Sequence, residues 1–358
     1  MIDGGDIYKV VTAMAPLYVA LGLGYGSVKW WHMFKLDQCD AINRFNCYFI
    51  IPFFTFEFTA HVNPYTMNRG FLIADVIAKF IVGIVLALWV NLSKKGSFDW
   101  CITTFSLASL NNTLVLGAPL LKAMYGDLGE NLVVQSSVIQ SLLWFIALLI
   151  LLEWRQARSE AVDARSMNGD SHAEIEMGRD LEESSSAPVA IHSPSFLSVL
   201  NTVRTKLAKN PNSYACIIGL IWALVSNRWH IKMPEIVEGS ILIMSKAGGG
   251  VAMFTMGLFI AWQEKFIACG VGLTFYGMVL RFVVGPALTA AGSFAMGLRG
   301  DVLRIAVMQA ALPQSITSFV YAQEYGLHAN VLSTAVIFGT IVSLPLLIGY
   351  YAVLDILR

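Results

Sequence analysis

The chain alternates long apolar runs with short polar joints, and the runs have the length of a bilayer. A helix crosses the hydrocarbon core with about 20 mostly apolar residues. Ten stretches meet that requirement, at about 7–28, 41–61, 71–91, 101–121, 132–152, 212–231, 239–260, 266–290, 302–322 and 330–354. The least ambiguous contains the uninterrupted apolar series from Leu142 to Leu152. Only 13% of the residues are Asp, Glu, Lys or Arg, against about 25% in soluble domains. The pattern therefore excludes a disordered chain, a disulfide scaffold and an ordinary cytosolic enzyme, and it predicts an all-α membrane protein with ten transmembrane helices. The formal charge is zero, from 24 basic and 24 acidic residues, so no overall field attracts nucleic acid. The five cysteines are scattered without a CxxC pair and read as packing thiols. No small-residue cleavage site follows the first run, which reads as a retained span.

One segment breaks the pattern. Residues 153–209 hold 16 of the 48 charges and the acidic, serine-rich run Glu182-Glu183-Ser184-Ser185-Ser186. They read as a polar, disordered loop without apolar periodicity. The loop divides the chain into a first five-span unit, 1–152, and a second, 210–358. The distribution of Lys and Arg places the loop in the cytosol and both termini on the opposite side, with the loop itself supplying the excess.

The two units echo one another. The fourth span reads Ser109-Leu110-Asn111-Asn112-Thr113 and runs on to Tyr125-Gly126; the ninth reads Ala311-Leu312-Pro313-Gln314-Ser315 and runs on to Tyr325-Gly326. A unit with an odd number of spans enters the membrane inverted on its second occurrence. Inverted repeats with interrupted helices are a common architecture of secondary transporters, with the substrate near the midplane. Pro313 has no N–H and loosens its helix; Asn111 and Asn112 can cap a new helix start. Two half-helix starts facing each other would offer free N–H groups and positive dipole ends to an anion.

Other polar residues lie at membrane depth. Asp75 and Lys79, four apart on one face of the third span, form an expected ion pair or a polar patch beside the site. Gln135 and Gln140 lack obvious partners, and Gln140 is within reach of a cavity shared with Asn112. Lys246 and Arg281 are expected to snorkel or pair. There is no HExxH and no GxSxG, and the six histidines are dispersed, so neither an enzyme nor a metal site nor any cofactor is expected.

Several longer stretches carry a resemblance. Tyr8-Lys9-Val10-Val11, Gly24-Tyr25-Gly26-Ser27-Val28-Lys29-Trp30-Trp31, Asn63-Pro64-Tyr65-Thr66-Met67-Asn68, Ser226-Asn227-Arg228-Trp229-His230, Gly239 to Gly248 and Ala311-Leu312-Pro313-Gln314-Ser315-Ile316 resemble the PIN-FORMED auxin carriers of plants. The resemblance covers about 1–155 and 205–358 and points to the short-loop type, near the fifth-member subgroup. It implies two inverted five-helix repeats in which broken helices four and nine cross. Helices one, two, six and seven would form a dimerising scaffold, so a homodimer is implied, and the other six an elevator-like transport domain. The implied substrate is the indole-3-acetate anion. By residue, the resemblance places substrate contacts at Asn112, Gln140, Thr55, Pro313, Gln314, Ile316 and Phe145. The helix crossover falls at Asn111, Asn112 and Pro313, and a supporting pair at Asp75 and Lys79. Asn111 stands where relatives usually carry proline, and Phe145 where they can carry tyrosine. The short-loop type points to the endoplasmic reticulum, with the plasma membrane as the alternative. Two other functions fit the same residues: a sodium- or proton-coupled symporter of another organic anion, with Asp75 as ion ligand, or a membrane receptor whose loop binds a partner.

Overall fold

The computed structural model describes residues 4–159, 196–263 and 267–356. Among these every regular element is helical, in chain order α1 (Gly4–Lys29), α2 (36–60), α3 (Arg69–Leu92), α4 (Phe98–Ser109), α5 (Thr113–Ser159), α6 (Phe196–Lys209), α7 (Pro211–Trp229), α8 (Glu235–Trp262), α9 (Val271–Ala295), α10 (Gly300–Ala310), α11 (Ile316–Glu324) and α12 (Ala329–Ile356). Six helices among the described residues are long and apolar enough to cross a membrane: Tyr8–Lys29 within α1, then α3, α5, α8, α9 and α12. α4, α10 and α11 are shorter because the predicted fourth and ninth spans are each cut in two. Large apolar side chains stand outward on these helices, among them Phe80, Ile84 and Leu88 of α3 and Ile218 and Ile221 of α7. A hydrocarbon solvent accepts such a surface; water does not.

α5 is 47 residues long, which as a straight helix would measure about 70 Å. It turns back on itself at Gly126, whose φ of +64° only glycine adopts without strain. Lys122 and Glu130, about 12 Å apart on a straight helix, form an ion pair of 2.6 Å across the turn. Gly326, at the matching place of the second unit, also has a positive φ, +60°. A second echo lies at the ends of α1 and α7, where Trp31-His32 and Trp229-His230 close the helices with left-handed histidines (φ +52° and +55°).

Two groups of helices pack most extensively within themselves. α1 lies along α8 and α2 along α7; α3 lies along α9, and α9 against α10. The first contact is backbone to backbone: a Cβ on Gly24 would stand 2.1 Å from the Phe254 carbonyl oxygen, and one on Gly257 2.1 Å from that of Leu21. Of four π-helical turns among the described residues, three, Asn46–Ile50, Thr113–Gly117 and Leu280–Val284, end two residues before a proline, Pro52, Pro119 and Pro286, and the fourth, Gln140–Trp144, has none. A proline ring clashes with the carbonyl of the preceding turn and offers it no N–H, and a widened turn relieves both problems.

The loop expectation for 153–209 requires correction at both ends. Residues 153–159 continue α5, and Phe196–Lys209 is a helix. Val199 and Val203 are buried, and with Leu207 they form a one-sided stripe against the end of α5. Residues 160–195 lie outside the described residues.

Candidate functional site

Both interruptions occur where the sequence places polar residues in an apolar run. α4 ends at Ser109, Leu110 is extended (φ −104°, ψ 117°), and α5 starts at Thr113. α10 ends at Ala310, Pro313 follows, and α11 starts at Ile316 after an extended Ser315. The two extended pieces run antiparallel and pair: Asn111 and Gln314 form an isolated bridge, Asn112 N–H donates to the Pro313 carbonyl at 2.9 Å, and Ser315 N–H donates to that of Leu110 at 3.1 Å. Backbone groups freed by each break are thus satisfied by the other, as a water-poor interior requires.

Side chains complete the junction. The Gln140 amide accepts from the Asn111 N–H at 3.2 Å and donates to the Asn111 carbonyl at 2.7 Å. Asn111 Nδ2 donates to the Gln309 carbonyl, in the last turn of α10, at 2.6 Å; Gln309 in turn donates to Ser136 Oγ. Gln314 Nε2 donates to Ser318 Oγ at 2.6 Å and to the carbonyl and hydroxyl of Ser106 at 3.2 Å. Of the side-chain amides at the crossing, one donor, Asn112 Nδ2, and three acceptors, Asn111 Oδ1, Gln309 Oε1 and Gln314 Oε1, are buried without a protein partner. An unsatisfied buried amide is costly and marks a place for a ligand or water.

Behind the crossing lies a small polar cavity between α3, α4 and α9, lined by Asp75, Lys79, Ser109, Asn111 and Arg281. Lys79 Nζ stands 2.9 Å from Asp75 Oδ2, and both side chains are buried; the ammonium also lies 5.6 Å from the Trp144 ring centre. Arg281 does not snorkel. It is 1% exposed and donates to the carbonyls of Leu110 (2.6 Å), Ala108 (3.0 Å) and Ala310 (3.3 Å), the C-terminal ends of both interrupted helices.

A larger cavity of about 210 Å³, the front cavity, lies between α5, α6, α7 and α11, and the crossing residues themselves do not line it. Phe145, Leu142 and Ile146 of α5, Thr317 and Tyr321 of α11, and Asn212, Cys216 and Ile217 of α7 line it, with Leu207 and Asn210 at its end. Phe145 and Tyr321 meet edge to face, 6.2 Å between ring centres. Thr55 of α2 donates to Asn212 Oδ1 at 2.6 Å.

Of the residues singled out from sequence, Asn111, Asn112, Gln140, Pro313 and Gln314 meet at one junction. Ile316 opens α11 beside it, and Phe145 lines the front cavity. Thr55 reaches that cavity through Asn212, and Asp75 and Lys79 lie behind. Asn111 caps the facing helix α10 rather than its own. Gln309, Tyr321 and Asn212 escaped the sequence reading, and Arg281, named there as a base that snorkels or pairs, was not tied to the junction. Gln135, without an evident partner in sequence, accepts from the Asn68 N–H at 3.0 Å at the start of α3.

Comparison with known proteins adds a family. The model of the family described as membrane transport protein matches residues 9–351. Among curated relatives, "Auxin efflux carrier component 5" of Arabidopsis thaliana is 58% identical over the whole of both chains. "Probable auxin efflux carrier component 5a" of Oryza sativa subsp. japonica is 52% identical, again over the whole of both. "Auxin efflux carrier component 8" of Arabidopsis thaliana is 38% identical over 99% of this chain and the whole of its own.

Proposed function

The chain belongs to the membrane transport protein family, among the auxin efflux carriers of short PIN type, and on that premise we propose that it carries the indole-3-acetate anion across a membrane. The observation that carries this reading is Asn112 Nδ2, a buried donor without a partner between the starts of α5 and α11. The carboxylate would take that donor and the first-turn N–H groups of the two half-helices. Gln314 Oε1, one of the orphan acceptors there, suits an N–H such as that of indole. The ring would occupy the front cavity against Phe145, with Ile316 next to its wall residue Thr317 and with Asn212, held by Thr55, on the facing group. Gln140, whose amide is spent on Asn111, would act by holding the break in shape.

We further propose ten membrane helices in two inverted five-helix units, 1–152 and 210–358, with α1, α2, α7 and α8 as the dimerising scaffold. Apart from α6, the remaining helices, α3, α4, α5, α9, α10, α11 and α12, would move past the scaffold as one body. The front cavity between the groups and the pairing of the two breaks within one of them support this division. Transport would need no coupled ion. The alternative, a cation-coupled symporter, would use Asp75 as its ion ligand, and Asp75 is occupied by Lys79 at 2.9 Å. The proposed membrane is that of the endoplasmic reticulum, argued from the short central segment, rather than the plasma membrane. Vesicles containing only this protein test the reading. Labelled indole-3-acetate should enter them saturably, faster under a potential that draws the anion inward, and equally well without a sodium or proton gradient. Uptake no faster than in protein-free vesicles would overturn the function, and uptake abolished by removing sodium would favour the symporter.

A further inference from the structure

Arg281 sits in the π turn Leu280–Val284 of α9, and a Cβ on Gly285, one turn on, would stand 2.6 Å from the Ala108 carbonyl oxygen. The turn therefore presses directly on the end of α4, and the guanidinium fills the space between the carbonyl ends of α4 and α10. Each of those ends carries a partial negative charge. A guanidinium stays protonated throughout the physiological range. Among the described residues lining the small cavity, the other ionisable side chains are Asp75 and Lys79, an ion pair. The buried centre of this helix group thus holds two formal positive charges and one negative. Toward the ends of the same helices, Lys122 pairs with Glu130, Arg155 with Asp99 and Arg304 with Asp301.

We propose that Arg281 is the fixed counter-charge of the transported anion, balancing its carboxylate without touching it. The inference rests on the moving-body reading above and goes beyond it by assigning the charge of each half-cycle. Loaded, the buried centre is neutral, one carboxylate against a surplus of one positive charge. Empty, it returns carrying that surplus. A neutral loaded centre crosses the low-dielectric layer at less electrostatic cost than a charged one. Because the contacts to the ligand remain neutral dipoles, the anion can still leave. The membrane potential then acts on the return of the empty carrier and hardly on the loaded step. One charge crossing the full field is worth about 2.3 kcal/mol per 100 mV, about 50-fold in the orientation equilibrium.

Voltage-step transient currents on oriented membranes containing the full chain test this. Wild type should show a transient charge movement without ligand that is lost when indole-3-acetate saturates both sides. Arg281→Met should reverse the pattern, giving no movement when empty and movement when loaded, whereas Arg281→Lys should behave as wild type. Should the Met variant fail to insert, Asp75→Asn supplies a second test, since it adds one positive charge and should leave a transient under both conditions. A wild-type transient that is larger when loaded, or absent in both conditions, would overturn the proposal. Exchange of labelled for unlabelled indole-3-acetate in the same preparation separates the two ideas: its absence would sink the transport reading, whatever the currents.

Discussion

Asn111 makes the first interruption with an amide instead of a ring. Its Nδ2 satisfies the Gln309 carbonyl, and its own backbone N–H and C=O are both held by Gln140. Asn111→Ala would remove one donor from the buried Gln309 carbonyl, which still accepts from the Leu312 N–H at 3.1 Å, at a cost of about 0.5–1.5 kcal/mol. Gln140→Leu would orphan both backbone groups of Asn111 and cost more. Thermal unfolding of the purified protein in detergent should rank wild type above Asn111→Ala and Asn111→Ala above Gln140→Leu. A Gln140→Leu midpoint equal to wild type would show that the amide does not hold the break. The residues of the junction were legible because each is polar inside an apolar run. Their partners were not. Sequence says that Gln140 is buried and polar, but not whether it serves a ligand or a backbone 29 residues away. Arg281 was expected to snorkel or pair; its actual partners are carbonyls that are free only because two distant helices are broken.

At the scale of elements, helix breaks and helix irregularities follow different rules. The breaks could be located from Asn111, Asn112 and Pro313, yet Pro52, Pro119 and Pro286 do not break their helices. They sit behind wide turns that keep the chain helical while shifting the faces around them. A period of 3.6 residues cannot reveal such a turn, so the aim of Arg281 was unreadable. α6 was missed for another reason: its stripe of Val199, Val203 and Leu207 lies beside a strongly acidic run that dominates any average over the segment. Its position is fixed by that stripe and by Lys206, whose ammonium lies 2.8 Å from Glu153 and 3.1 Å from Glu324, at the ends of α5 and α11. Val203→Asp would bury a charge in the stripe and release the helix. Limited proteolysis should then cut within 196–209 faster than in wild type, by about tenfold or more for a loss of about 1.4 kcal/mol. An unchanged cutting rate would show that the stripe does not hold α6. Lys206→Gln should produce a smaller effect, since its side chain is about one-third exposed and water screens its pairs.

For the whole molecule, apolar runs of bilayer length established the helical class, and the matched breaks established where the chain concentrates polar groups. The division into two packed helix groups was not written in any run, because it depends on which helices approach closely enough to touch backbones, as α1 and α8 do through Gly24 and Gly257. That division leaves the crossing on one group and the apolar cavity between both. On the proposed reading a ligand bound there would touch both groups, and its affinity would depend on Asn112 Nδ2, a donor that the protein leaves unpaired. Equilibrium binding of labelled indole-3-acetate to the purified protein, alongside its uncharged amide and the Asn112→Ala variant, probes that donor. Wild type should bind the acid at least tenfold more tightly than the amide, and Asn112→Ala should lose about 10- to 100-fold in affinity for the acid, the worth of a hydrogen bond to a charged group. Undiminished binding by Asn112→Ala, or equal binding of acid and amide by wild type, would mean that the crossed helix breaks do not hold the carboxylate.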